Sequence, residues 1–365
     1  MSRPLRVLLL LTDGDGCGGG IAAYNHELAA GLQALGVDVR RLCLRGTPGA
    51  DQTVESSRWR YVLRALWWCW RWRPDWIWCG HINLSPIARL AMLLSPATRM
   101  LLQVHGVDAW QPPSRWRRWG ALGAQLIASV SRYTRWRVLG WHPIEPEQCP
   151  ILADTYDPRY APGPADGRLR QAYGAGEGLV VATVGRMAAN EAYKGHDRML
   201  RAMPQVLAQF PNLRYLVAGE GDDRPRLQAL ADALGIADRV HFVGAVAAAD
   251  LPELYRSIDL FAMPSTGEGF GIVYLEAMSC GTAVLGSGVE GSADPLHDGR
   301  LGWCVGERDL ATVLIEALRG ARDGDLQARA AQRAATVASH FGRDCFRRQL
   351  QALLDERLKP AATAP

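Results

Sequence analysis

"DLFAMPSTGEGFGIVYLEAMSCGTAVLGS", residues 259–287, reads as strand, glycine loop, helix and strand again. The apolar run before Pro264 is short and continuous, a helix opens near residue 271, and "TAVLGS" returns to a buried strand. Two glutamates, Glu268 and Glu276, stand eight positions apart around Phe270. Eight helical steps rise ~12 Å, whereas the carboxyls of a retaining glycosidase lie about 5–5.5 Å apart. The spacing therefore speaks against hydrolysis by the pair and for one long ligand read at both ends. Gly269 and Gly271 let backbone amides come close to a ligand where a helix N-terminus aims its unpaired N–H groups, a site made for phosphate. A sugar nucleotide has that layout: hydroxyls at each end, diphosphate between.

Upstream, the same alternation recurs. "LVVATVGR", a helix over 196–209, "LRYLVAGEG", a helix over 223–234 and "RVHFVG" precede the opening stretch. In the first half "RVLLLLT", "VDVRRLCL", "DWIWCG", "RMLLQVHG" and "QLIASVS" alternate with helical patterns. Strands alternating with helices imply parallel, doubly wound α/β sheets. Residues 142–178 are rich in Pro, Gly, Ala and Asp, which marks a linker. The expectation is two facing Rossmann-like domains, 1–160 and 178–340, with a cleft between them as the active site. A C-terminal helix over 341–358 is expected to pack near the domain junction.

Diphosphate needs cations. "VGRMAANEAYKGHD" offers Arg186 just after a strand and Lys194 eight residues later, one of only two lysines, with Lys359. A guanidinium fork and an ammonium point charge neutralise a leaving pyrophosphate well. No D-x-D motif stands beside them, so the chemistry is read as metal-independent and free of a bound cofactor.

Taken in order, Gly185-Arg186, Lys194-Gly195, "VAGEGDDR", "RVHFVGAV" and "MPSTGEGFGIVYLEAMSCGTAV" resemble the nucleotide-binding domain of the family-4 retaining glycosyltransferases of the GT-B fold. The resemblance implies that Glu276 binds ribose hydroxyls and Glu268 hydroxyls of the donor sugar. It gives Arg186 and Lys194 to the diphosphate, supported by the amides of Phe270, Gly271 and Ile272. The turn at Val243, Gly244 and Ala245 would hold the base of a UDP- or GDP-hexose. The implied activity moves a hexose to a saccharide acceptor. The chain departs from the family at "ILADTYDPRY", where an Asn-Gly-Val-Asp turn is usual.

In the first half "DGDGCGGG" fits G-x-G-x-x-G, the signature of a nicotinamide-dependent oxidoreductase. Such a site wants an acidic residue ending the second strand, and that strand ends in Arg45. The resemblance instead gives Gly18, Gly19 and Gly20 to a helix start near donor phosphate and acceptor. It also places His105, in "QVHGVDAW" with Asp108, beside the transferred sugar. A third alternative is a non-catalytic sugar-nucleotide-binding partner subunit, against which all expected donor positions are filled.

Charge is uneven: residues 1–150 hold 18 Lys and Arg against 10 Asp and Glu, although the whole chain is only +4. Twelve of 13 tryptophans fall between residues 59 and 141. Within "SRWRYVLRALWWCWRWRPDWIW" a helical wheel gives Trp59, Val62, Leu63, Leu66 and Trp70 to the core. Arg60, Arg64 and Arg71 form a basic stripe beside Trp67, and Tyr61, Trp68 and Trp72 are left on the far side. Tryptophan interleaved with arginine describes an interfacial helix on anionic lipid. Segment 58–78 is therefore expected to dock on the cytoplasmic face of the inner membrane, which suggests a lipid-linked acceptor. Single-stranded nucleic acid also suits such a pattern, but no RNA-binding motif accompanies it, and nucleic acid is not expected as a partner. Eight scattered cysteines with no metal-ligand spacing read as reduced thiols of a cytoplasmic protein. The leucine run at the start stops at an Asp/Gly turn and reads as a first strand rather than a signal peptide.

Overall fold

The computed structural model describes residues 3–174 and 178–358. Residues 175–177 of the expected linker, and Lys359, lie outside them. The chain divides into two compact units, Met1–Tyr156 with Phe341–Pro365, and Asp157–His340.

Among the described residues the first unit carries β1 (Arg6–Asp13), β2 (Asp38–Arg45), β3 (Gln52–Val54), β4 (Trp76–Cys79), β5 (Arg99–Val104) and β6 (Leu126–Ser129). They form one parallel sheet in the order β3-β2-β1-β4-β5-β6. Val7–Leu11 of β1 are fully buried, an unbroken apolar run because helices cover both faces of the sheet. The helices are α1 (Gly20–Ala34), α2 (Arg58–Trp72), α3 (Ser85–Met92), α4 (Arg115–Ala121) and α5 (Arg132–Leu139).

In the second unit β7 (Val180–Val184), β8 (Arg214–Ala218), β9 (Val240–Gly244), β10 (Leu260–Met263), β11 (Ala283–Gly286) and β12 (Trp303–Cys304) form a parallel sheet ordered β12-β11-β10-β7-β8-β9. Its helices are α6 (Arg168–Ala172), α7 (His196–Gln209), α8 (Arg224–Ala233), α9 (Leu251–Arg256), α10 (Ile272–Ser279), α11 (Leu310–Arg322), α12 (Asp325–Ala328) and α13 (Ala330–Phe341). Sequence reading passed over α11, although Leu310, Val313, Leu314, Ala317, Leu318 and Ala321 make its buried stripe. The last helix, α14 (Arg343–Glu356), packs on α1 of the first unit. Leu350 lies 3.0 Å from where a Cβ on Gly31 would stand, and the Arg343 guanidinium donates to Glu27 at 2.7 Å.

The wheel drawn for α2 is inverted for its aromatic residues and Leu63, while Val62 and Leu66 are half-buried and Leu66 packs against the core. Tyr61, Ala65, Trp68, Cys69 and Trp72 face the core, with Trp68 6% and Trp72 7% exposed, while Trp59 is 80%, Leu63 65% and Trp70 57% exposed. Both stripes are apolar, so hydropathy alone does not choose between them. The small residues Ala65 and Cys69 decide it, because they let the helix approach the sheet closely. The Tyr61 hydroxyl, 3.0 Å from the Leu42 carbonyl, gives its polar tip a buried partner. Arg40 of β2 then lies over the Trp72 ring at 4.7 Å.

Candidate active site

In the second sheet the chain runs β7, β8, β9 to one side and returns to the other side of β7 with β10. The β7/β10 boundary is thus the point where strand order reverses, the place where open α/β sheets bind ligands. The expected donor-site residues gather at these strand ends. Gly185 and Arg186 follow β7, and a Cβ on Gly185 would lie 3.4 Å from the Lys194 side chain. The loop after β10 leads to Gly271, which caps α10 at φ 95°. A Cβ there would come within 2.5 Å of Tyr274, so glycine is required both by conformation and by space. No side chain caps α10 and no acidic residue sits in its first turn, which leaves its positive end for a ligand.

Two loops are locked together here. The Thr266 amide donates to the Tyr193 carbonyl at 2.9 Å, and a Cβ on Gly267 would meet the Tyr193 ring at 2.8 Å. Arg198 donates to the Pro264 carbonyl at 2.6 Å. Sequence reading missed Glu191, which pairs with both expected diphosphate cations, directly with Arg186 and at 3.6 Å with Lys194.

The two glutamates turn to different neighbours. Glu268 accepts from the Ser265 hydroxyl at 3.1 Å, close to the charged loop. Glu276 accepts from the Tyr255 hydroxyl of α9 at 3.1 Å, and the Tyr160 phenol, packed edge to face on Tyr255, lies near enough to favour its charge. Burial pushes the Glu276 carboxyl up to about 7, against the pull of the two phenols and Arg159. Phe270 and Ile272 are buried beside Gly271. Gly244 ends β9 with its carbonyl accepting from the Gly219 amide at 2.8 Å, leaving Val243 half-buried and Ala245 exposed.

In the first sheet the reversal falls between β1 and β4. Gly18, Gly19 and Gly20 open α1; a Cβ on Gly18 or Gly19 would meet nothing within 4 Å, and no side chain caps the helix. Gly14 differs, since a Cβ there would lie 2.5 Å from Gln52, so it serves packing. β2 ends in Arg45, which pairs with Asp13 at 2.8 Å.

His105, just past β5, shares a hydrogen bond at 3.0 Å between Nε2 and the Gly80 carbonyl, which makes Nδ1 the acceptor nitrogen. Burial and the neighbouring His81 push it down to about 4, so the ring is neutral at pH 7. Sequence reading missed His81, which follows β4 at the reversal itself. Its Nδ1 accepts from the Asn83 amide at 3.1 Å, and its Nε2 lies 4.0 Å from Asp108 Oδ2. That oxygen is buried without a hydrogen bond, and burial pushes the Asp108 carboxyl up to about 7. Among the described residues no group of three His, Cys, Asp or Glu is placed to hold a metal ion.

Two doubly wound parallel sheets, each with loop chemistry where its strand order reverses, make this a two-domain Rossmann-like protein of GT-B type. Residues 178–321 match the model of the glycosyl transferases group 1, and residues 18–157 that of glycosyltransferase family 4. The chain belongs to this group 1/family 4 of glycosyltransferases. It is 34% identical over 245 residues to the GDP-mannose-dependent alpha-(1-6)-phosphatidylinositol monomannoside mannosyltransferase of Mycolicibacterium smegmatis, an alignment covering 63% of this chain and 62% of that one. The match thus spans about three-fifths of that relative's length. The D-inositol 3-phosphate glycosyltransferase of Frankia alni is 28% identical over 93% of this chain and 83% of its own. Anabaena Alr3699/HepE, solved in complex with UDP-glucose, shares the fold at a TM-score of 0.77 and 21% identity, over 96% of this chain and 99% of the other.

Proposed function

We propose that this protein is a retaining, metal-independent hexosyltransferase that takes its sugar from a UDP- or GDP-hexose and passes it to a saccharide acceptor. The observation that carries the reading is the locked pair of loops at the β7/β10 reversal. They bring Arg186, Lys194 and the uncapped N-terminus of α10 to one strand edge, with Glu268 and Glu276 turned to separate neighbours. Diphosphate charge falls on the two cations and the α10 amides of Phe270, Gly271 and Ile272. The donor hexose falls on Glu268, the ribose on Glu276 and the base on Val243–Ala245. Within the first unit, neutral His105 offers an acceptor nitrogen to a sugar hydroxyl, and the uncapped start of α1 at Gly18–Gly20 offers backbone amides to a phosphate. GDP-mannose, on which the Mycolicibacterium smegmatis relative depends, and UDP-glucose, bound in the HepE structure, favour a hexose on either base.

The acceptor is assigned as lipid-linked and the protein as peripheral on the cytoplasmic face of the inner membrane. Among the described residues no helix is long and apolar enough to cross a membrane. The docking face is the exposed stripe of α2, Trp59, Leu63, Trp67 and Trp70, with Arg58, Arg60, Arg64, Arg71 and Arg73 around it. At ~1 kcal/mol per arginine near an anionic surface, this supplies reversible attachment.

The test is a thermal-shift panel of UDP, GDP, dTDP, ADP, CMP and NAD on wild type and Glu276→Gln. A ligand at 100 times its Kd stabilises by ~2.7 kcal/mol. The expected result is a rise with UDP or GDP that the variant loses, and hexose transfer from the matching donor to a membrane lipid extract that persists in EDTA. A shift with NAD alone, or none at all, would overturn the reading.

A further inference from the structure

Glu276 is not held by its own helix. Tyr255 of α9 donates to the Glu276 Oε2 at 3.1 Å, and Tyr160, from the segment that leads into the unit, brings a second phenol near enough to favour the carboxylate's charge. Both phenols are buried, and their rings meet edge to face at 6.0 Å. The Tyr160 segment is itself tied down. Arg256 donates to the Ala161 carbonyl at 3.3 Å, and the Asp166 amide donates to Glu253 at 2.7 Å. An ionised carboxylate has about four acceptor positions on its two oxygens. With Tyr255 donating and Tyr160 turned to the same carboxylate, half of them would be filled and two left, the number a vicinal diol needs.

We infer that Tyr160 and Tyr255 are positioning residues of the nucleotide site, orienting the Glu276 carboxylate so that its two remaining acceptor positions take the 2′- and 3′-hydroxyls of a ribose. This rests on the reading that Glu276 meets the ribose. The tyrosines touch the carboxylate and not the ligand. Three further groups bear on Glu276: Arg159 favours its charge, Asp157 opposes it, and Cys280, at the end of α10, is a thiol whose own pKa burial pushes up to about 12. The phenols also resist ionisation, because burial raises both, so they remain donors across the working pH range.

A proton is coupled to the docking. The ribose hydroxyls donate, so the form that binds them is the ionised one, whereas the empty carboxyl is half protonated near pH 7. Below that pH, binding a diol transfers the Glu276 proton to the buffer. Nucleotide affinity therefore rises with pH up to about 7 and levels off above it. Each phenol lowers the Glu276 pKa, so removing one moves the midpoint of that profile upward.

The experiment is titration calorimetry of UDP and GDP, and of their 2′,3′-dideoxy analogues, from pH 5.5 to 8.5. The proteins are wild type, Tyr160→Phe, Tyr255→Phe and Glu276→Gln. The expected result is that each tyrosine variant binds the ribonucleotide about threefold to tenfold more weakly at pH 7, with its midpoint displaced upward. The dideoxy analogue should bind the tyrosine variants as it binds wild type. Tyrosine variants that keep wild-type affinity and midpoint, while Glu276→Gln loses affinity, would overturn this inference alone. Glu276→Gln with wild-type affinity, or a wild type that binds neither nucleotide, would remove the ribose reading and the inference with it.

Discussion

Both units reverse their strand order next to their first strand, yet the loops there carry opposite chemistry. The second unit offers Arg186, Lys194 and the uncapped N-terminus of α10, all complements of an anion. The first offers neutral His105, a buried Asp108 oxygen without a partner and His81, groups that exchange hydrogen bonds and protons with hydroxyls. One topology supplies the place twice, and the loops after β4, β5, β7 and β10 decide what each place offers.

The sharpest way to break the comparison is to remove the anion chemistry. Arg186→Ala together with Lys194→Ala should lower hexose transfer on the order of 10³-fold, since even one preorganised donor to developing charge is worth about 10²–10³. The melting temperature should fall, because buried Glu191 loses both of its cations, so transfer is compared below the variant's own melting range. A double variant that transfers normally would mean the second unit holds no diphosphate.

The second-unit site was legible because its chemistry lies close together in sequence. Glycines at 269 and 271, two glutamates and a lysine in a chain nearly without lysines identify the loops before any packing is known. What could not be read was supplied by long-range contact. Tyr255 reaches Glu276 from 21 residues away, and Tyr160 comes near it from the segment that leads into the unit, with no spacing rule to announce either. Glu191 stands among ordinary loop residues, and only the fold turns it onto both cations. On α2 the failure was of another kind. Periodicity was correct, but two apolar stripes competed, and Ala65 and Cys69 carried the deciding signal through being small.

That inversion sets the next prediction, on the first unit. Trp68→Ser should cost about 3–5 kcal/mol, as large-to-small changes of buried aromatics do, measured by urea unfolding. Trp59→Ser with Trp70→Ser should stay within about 0.5 kcal/mol per site. The same double variant should lose sedimentation with vesicles containing anionic phosphatidylglycerol, while neither protein pellets with neutral phosphatidylcholine. Equal pelleting of wild type and variant would remove the membrane from the comparison.

Asp108 gives a smaller effect with a distinctive sign. A carboxyl raised to about 7 by burial costs stability as pH climbs from its ordinary range through 7, because the unfolded chain ionises earlier than the folded one. Asp108→Asn should therefore stabilise by about 1–3 kcal/mol, the desolvation cost of an unpaired buried group, at pH 8 and far less at pH 4. If the first unit's reversal is a hydroxyl site, the same variant loses transfer while nucleotide affinity stays unchanged. A variant that is neither more stable at pH 8 nor less active would make Asp108 an ordinary turn residue.

The smallest effect distinguishes two roles for Glu191. It pairs with both cations, so a diphosphate bound by them would compete with it. Arg186 is largely exposed, which holds that pair to about 0–1 kcal/mol, while Lys194 is sheltered and 3.6 Å away, an ion pair without a hydrogen bond. As a counter-ion, Glu191 weakens diphosphate binding, and Glu191→Gln should tighten UDP or GDP up to about fivefold, with the gain shrinking in 0.5 M salt as screening removes it. As a scaffold that aims the two side chains, its loss would weaken binding at every salt concentration. The sign of the change in calorimetry separates the two. The counter-ion outcome would mean that the second unit keeps its anion site electrically satisfied while empty, whereas the first leaves Asp108 Oδ2 unpaired.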